Sequence, residues 1–214
     1  LGIFPNAHRL KQYETVTLFA KYRKGILEKR KGPTGVSIKL LPLYNIVKSL
    51  APAIAMPKIN HLEMSSTTPE VDWEFEIIQA PDYVLRRFHE QFPDPGDRFF
   101  PFHMPNMLIS EKKGRVEIFG YFSKRDGYCT LIKSTIPFFM LQGHITSLNL
   151  QLHDIGVTYI EVLVNAKMKK TIETLLKGNF LPSAIYPAMR QTSEDYEDYI
   201  AMSKTMEPLN FKGM

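Results

Sequence analysis

Apolar residues recur along this chain with two different periods, and each change of period marks an element. From Trp73 to Ile78 (WEFEII) they alternate, which predicts a strand; over Pro81–Gln91, Val84, Leu85 and Phe88 fall at helical spacing. Met107–Ser110, Arg115–Phe122 and Tyr128–Ser134 read as three more strands. They are joined by Lys112-Lys113-Gly114 and by Lys124-Arg125-Asp126-Gly127, whose Asp-Gly pair tolerates the positive φ of a hairpin turn. Ile145, Leu148 and Leu152 form one stripe of a helix expected from Phe139 to Ile155, with Gly156 as its stop. Val157–Val164 is apolar almost without interruption, the signature of an interior strand buried on both faces. Lys167–Lys177 turns Ile172, Leu175 and Leu176 to one side and its lysines to the other, and Leu181–Tyr186 and Tyr196–Lys204 supply two last strands. The order β-α-β-β-β-α-β-α-β-β predicts an α+β, three-layer α/β/α architecture. Its sheet is expected to be mixed and mostly antiparallel, with a central parallel pair and helices on both faces.

Ahead of that unit the pattern is less regular. Tyr13–Tyr22 (YETVTLFAKY) predicts a strand, Gly25–Lys31 a short basic helix stopped by Gly32-Pro33, and Pro42–Leu50 a second short helix. Residues 51–69 are rich in Pro, Ser and Thr without a period, as in a linker. One internal repeat changes the picture. IYPAMRQTSEDYEDYIAMSK, from Ile185, echoes IFPNAHRLKQYETVTLFAK, from Ile3, with one extra residue in the later copy. Ile3-Phe4-Pro5 matches Ile185-Tyr186-Pro187, Tyr13-Glu14 matches Tyr196-Glu197, and Lys21 matches Lys204. A repeat at this separation implies a duplicated domain rather than an array. The chain, which opens in mid-element, is expected to be a piece of something longer, or processed from it. Residues 1–50 are then the tail of an upstream copy, 51–70 a linker, 71–207 the main domain and 208–214 a tail.

Composition narrows the function classes. With 44% hydrophobic and 23% charged residues the chain can bury a substantial core, and no apolar run reaches the length of a membrane span. Cys129 is the single cysteine, which excludes an intrachain disulfide and suits a reduced, cytoplasmic setting. The net charge of +5 concentrates only in Lys21–Lys31, which reads as a solvated helix face rather than a nucleic-acid surface. An interaction module using that stretch against an acidic partner is the reading from another class. The expected partners are an upstream domain of the same chain or a second subunit, with neither nucleic acid nor membrane. The six histidines lack metal-ligand spacing, so no metal is expected, and His103 among aromatics and prolines is expected to be a packed histidine. Phe99, Phe100 and Phe102 are expected in the core or at a subunit contact, with a substrate cleft as the alternative.

The segment Val157–Pro187 (VTYIEVLVNAKMKKTIETLLKGNFLPSAIYP) resembles the second half of the GNAT superfamily of N-acetyltransferases. There a buried strand leads to an amphipathic helix, a Gly-Phe pair and another strand. In element order the resemblance extends over about the last 140 residues, and in motif detail over about the last 60. It implies binding of acetyl-CoA or another acyl-CoA through a Gln/Arg-x-x-Gly-x-Gly/Ala loop, whose backbone N–H groups hold the pyrophosphate at a helix N-terminus. Here that loop falls on Ile136–Leu141 (IPFFML), with no glycine and no basic residue, and with Pro137 lacking a donor. Gln142, Gly143 and His144 are the candidate shifted remnant, which requires a shortened helix. The family's tyrosine general acid aligns with Leu175, its asparagine with Met168 beside Asn165, and Asn179 stands for the glycine of Gly-Phe. Glu117 lies where such enzymes recruit a general base and is the weak catalytic candidate. The resemblance thus implies an acyltransferase-type domain with degraded catalytic motifs and a structural, substrate-binding or regulatory role. The alternative it leaves open is an active acyl-CoA-dependent N-acyltransferase with an atypical phosphate loop.

Overall fold

The computed structural model describes residues 2–9, 13–18, 20–50, 52, 54–59, 73–193 and 195–208. In chain order its elements are β1 (Gly2–Arg9), β2 (Tyr13–Leu18), β3 (Gly35–Val36), α1 (Leu41–Leu50), β4 (Lys58–Ile59), β5 (Phe75–Ile78), α2 (Pro81–Gln91), β6 (Met107–Glu111), β7 (Glu117–Ser123), β8 (Tyr128–Ser134), α3 (Ile145–Asp154), β9 (Tyr159–Asn165), α4 (Lys169–Lys177), β10 (Leu181–Gln191) and β11 (Tyr196–Thr205). Most of the expected linker, and the tail beyond Pro208, lie outside the described residues.

Among the described residues nine strands form one sheet in the order β2-β1-β10-β11-β9-β8-β7-β6-β5. Every neighbouring pair is antiparallel except β8 and β9, which run parallel at its centre. The connection between those two strands has to cross over, and α3 is that crossover. The sheet is therefore mixed and mostly antiparallel, with helices on both faces. On one face α1, α3 and α4 bury Tyr44, Val47, Leu148, Leu152, Ile172 and Leu175 against Ile160, Val162, Ile185 and Ile200. On the other, α2 sets Val84 and Phe88 on Leu108, Phe119 and Ile132. Fully burying each such side chain stabilises by about 1.5–3 kcal/mol.

β9 is interior, as its apolar run requires, but it begins at Tyr159: the Val157 N–H bonds to the Leu152 carbonyl and closes the end of α3. The single helix expected from Phe139 divides into a 3-10 turn, Phe138–Leu141, and the ten-residue α3. Pro137 opens the first piece and Gly143 separates the two, a residue that weakens a helix interior by about 1 kcal/mol. Asn179 ends α4 with φ of 62°, the left-handed conformation asparagine tolerates best after glycine.

The basic segment folds as a 3-10 turn, Leu27–Lys29, and its last arginine points inward rather than to water. Arg30 donates from Nε to Asp198 Oδ1 at 2.7 Å and from a terminal nitrogen to Oδ2 at 2.5 Å. Asp198, on β11, has a fully buried side chain and also accepts the Ala188 N–H at 3.1 Å and the Tyr44 hydroxyl at 3.3 Å. Four donors surround one carboxylate, the arrangement that makes a buried charge tolerable. His103 is packed, its ring stacked on Tyr121 at 4.2 Å, and burial lowers its pKa.

Candidate functional site

The parallel pair does not stay paired along its length. β8 and β9 match from Tyr128↔Tyr159 to Leu131↔Val162. Beyond that point β8 follows β7, pairing Lys133 with Phe119 and Ser134 with Ile118, while β9 follows β11, pairing Leu163 with Ala201 and Asn165 with Tyr199. The two strands part, and a cleft of about 330 Å³ opens between their carboxyl ends. The inner edges of Ile132–Lys133 and Leu163–Val164 face each other there without a strand between them. Such backbone can hydrogen-bond an extended amide-bearing chain as a sheet edge does.

Ile132, Phe138, Leu163, Val164 and Met168 make the cleft walls apolar, and Lys133, Lys167 and Arg190 make its rim cationic. Arg190 is fixed: it donates to the Gly96 carbonyl at 2.7 Å and to the Tyr199 hydroxyl at 3.4 Å, and lies 5.0 Å from the Phe99 ring centroid. Lys167 donates to Glu197 at 2.6 Å, and Asn165 reaches the other oxygen of the same carboxylate at 2.7 Å. Burial acts to raise the Glu197 pKa, but those two hydrogen bonds outweigh it and the net shift is downward. Thr171 Oγ1 is buried in the wall with no hydrogen-bond partner among the described residues, a polar atom left for whatever enters.

Of the residues singled out from the sequence, Phe99, Phe138, Asn165 and Met168 line this cleft, whereas Gln142, Gly143, His144, Glu117 and Leu175 do not. Gln142, Gly143 and His144 immediately precede the first turn of α3, the shortened helix that a shifted phosphate loop requires. His144 is engaged already: its N–H bonds to the Leu141 carbonyl, its carbonyl takes the Leu148 N–H and the Ser147 hydroxyl, and its ring stacks on Trp73 at 4.8 Å. Gly143 is open, with nothing within 4 Å of where a Cβ would stand. Lys170, on α4, lies 5.4 Å from the Phe139 ring and brings to this corner the positive charge that the loop itself lacks. Glu117 sits on β7 with both carboxylate oxygens on Arg87 Nε, at 2.9 and 3.2 Å. Leu175 is 2% exposed and part of the main core, turned away from solvent. Phe99 lines the cleft, whereas Phe100 packs beside the α2 cluster and Phe102 is half exposed against Tyr186. Sequence reasoning missed Lys133, Arg190 and Tyr199. Their one signal is position, near the ends of strands that converge on the centre of the sheet.

The β-α-β-β-β-α-β-α-β-β order with a central parallel pair is the arrangement read from the sequence, over the span where the resemblance holds in element order. The fold is GNAT-like. No protein-family model matches the chain, and no curated protein does. Among solved structures it is similar to ribosomal-protein-S18-alanine N-acetyltransferase from Escherichia coli, at 14% identity and a TM-score of 0.45, over 65% of this chain and 98% of that one. It is also similar to ribosomal-protein-S5-alanine acetyltransferase from Vibrio fischeri, at 9% identity and a TM-score of 0.42, over 68% and 100%. A variant of spermidine N-acetyltransferase from Vibrio cholerae matches at 10% identity and a TM-score of 0.46, over 61% and 93%.

A second polar group lies along β9 from the cleft. Glu161 points to the same face as Leu163, opposite Thr130 of β8 and Ser203 of β11. Burial pushes its carboxyl up to about 7, against the Tyr128 hydroxyl, whose hydrogen bond favours the anion. Tyr128, Tyr159 and Tyr186 surround it, and burial, reinforced by that carboxylate, raises all three phenol pKa values.

Proposed function

We propose that this chain is a GNAT-like acyltransferase domain whose role is structural, substrate-binding or regulatory, with the chemistry of transfer supplied elsewhere. The observation that carries this reading is the fate of two positions. The place of the phosphate loop is a proline-led 3-10 turn of Phe138, Phe139, Met140 and Leu141, and the place of the proton donor is the core residue Leu175. A pyrophosphate needs several convergent N–H donors, and setting it against bulky apolar side chains without them costs several kcal/mol. The parted strands still fit the chain-like arm of an acyl-CoA, so the cleft retains part of the binding surface and lacks the anchor. Titration calorimetry of this chain with acetyl-CoA is expected to give a dissociation constant weaker than about 0.1 mM, or no heat. A micromolar constant would refute the proposal.

One arrangement favours a second reading, an active N-acyltransferase with an atypical loop: α3 begins just after the open Gly143, and Tyr199 brings a hydroxyl to the cleft. In that reading the first-turn amides of α3 and Lys170 hold phosphate, and Tyr199 gives its proton to the departing thiolate. Micromolar binding that is lost on Gly143→Val, with turnover lost on Tyr199→Phe while binding persists, would establish it over the first.

A further inference from the structure

The repeat found in the sequence and the register of the sheet fit together pair by pair. Carried from the first copy to the second, Gly2↔Leu18 becomes Ala184↔Ala201, Ile3↔Thr17 becomes Ile185↔Ile200, and Phe4↔Val16 becomes Tyr186↔Tyr199. Past the irregularity, His8↔Glu14 becomes Arg190↔Glu197 and Arg9↔Tyr13 becomes Gln191↔Tyr196. Each of these five pairs in β1–β2 has its counterpart in β10–β11. The irregularity is copied too: Pro5–Ala7 stand opposite Thr15 as Pro187–Met189 stand opposite Asp198.

β1 joins the sheet beside β10, and the pair that joins them is Gly2↔Ala184. These residues are equivalent in the repeat. Between paired residues of antiparallel strands runs a local two-fold axis, so when the pair is equivalent that axis relates the two copies. The approach at the axis is close: a Cβ built on Gly2 would stand 2.1 Å from the Ala184 Cβ, which leaves glycine as the residue that fits.

A half-turn about this axis carries β10 onto β1 and β11 onto β2, and it carries β9 to the outer edge of β2, where the sheet ends among the described residues. The exposed residues of the hairpin mark the same gap. Ile3 is 47% exposed where its counterpart Ile185 is 0%, and Val16 is 43% where Tyr199 is 7%. Thr17 is exposed where Ile200 is buried.

We infer that β1–β2 is the closing hairpin of a second domain of this fold, placed before Leu1 in the same polypeptide, and that the two domains share one continuous sheet across a pseudo-two-fold axis at Gly2–Ala184. The upstream domain supplies a β9-like strand to the outer edge of β2 and helices over Ile3 and Val16. A second copy of this chain does not fit that role, because both edges of its own β9 are taken by β8 and β11. The inference is independent of what the cleft binds.

Amide hydrogen exchange tests it in this 214-residue chain and in the full natural polypeptide. The amides of Val16–Leu18 that are not bonded to β1 are expected to exchange freely in the chain and about a thousandfold more slowly in the polypeptide. Val16→Lys is expected to leave the Tm of the 214-residue chain unchanged and to lower that of the polypeptide. Equal exchange in both, equal destabilisation in both, or a natural polypeptide with no domain of this fold before Leu1 would overturn the inference.

Discussion

Glu161 makes stability depend on pH in a predictable direction. Its carboxyl is raised from 4.5 to about 7 because burial penalises the anion, with the Tyr128 hydroxyl offsetting part of the cost. For an acid raised in the folded state, folding is unhindered below about 4.5, where both states are protonated. Between about 4.5 and about 7 the unfolded chain is ionised while the folded one holds its proton, so stability falls as the pH rises. Above about 7 both are ionised and the loss is complete. Moving the carboxyl from 4.5 to about 7 corresponds to about 3 kcal/mol, a tenfold change in the proton equilibrium being worth about 1.36 kcal/mol. Glu161→Gln keeps the shape and an acceptor for Tyr128 but removes the charge. At pH 8 the variant is expected to be more stable by about 2–3 kcal/mol, raising Tm by about 4–10 °C for a chain of this size. At pH 4.5 the two proteins should melt within about 2 °C of each other. Scanning calorimetry or far-ultraviolet melts from pH 4.5 to 8.5 measure the difference. A Tm difference that stays flat across the range, or a variant less stable at pH 8, would show that the Glu161 carboxylate is solvated or paired and that this reasoning fails.

Arg30→Met should cost about 3–5 kcal/mol in urea unfolding, since it strands the buried Asp198 charge; adding Asp198→Leu should recover part of that loss even though Ala188 and Tyr44 lose an acceptor. Cys129, fully buried with its thiol pKa pushed up by burial, should resist a thiol reagent at pH 8 in the native protein and react after denaturation; rapid native labelling would contradict its place in the core. Asn179→Gly should be neutral or slightly stabilising, whereas Asn179→Val should cost about 1–2 kcal/mol by thermal melt, because φ of 62° disfavours a branched side chain.

Much of the fold was legible because burial imposes its period directly. Pro81–Gln91 and Tyr128–Ser134 coincide with their predicted spans, since a proline at the first helical position and an Asp-Gly turn fix those starts sharply. Boundaries failed where a tertiary bond decided them. β9 starts late because the Val157 N–H caps α3, and β10 runs on to Gln191 because β11 is long enough to pair with it past a bulge at Ala188. The basic stretch shows a different limit. Composition treats Arg30 as one charge among several, and only the distant Asp198, 168 residues on, distinguishes it from its exposed neighbours.

The cleft was legible in only one sense. A motif consists of the residues a known chemistry needs, and Ile136–Leu141 and Leu175 are not of those residue types. A motif cannot say what stands there instead, because a cleft formed by parting strands has none: Lys133, Arg190 and Tyr199 come from three strands and meet only through the register of the sheet. Register also bears on the duplication inferred above. Six matched positions between Ile3 and Lys204 allow a chance reading on their own. When backbone pairing reproduces the match through the same bulge, and an equivalent pair lies at the junction, chance would have to act at two levels that share no cause. The proposed duplication would supply that cause. The same physics explains why it was hard to see: a strand is specified by alternation rather than identity, so two copies can keep every backbone bond while most of their side chains change.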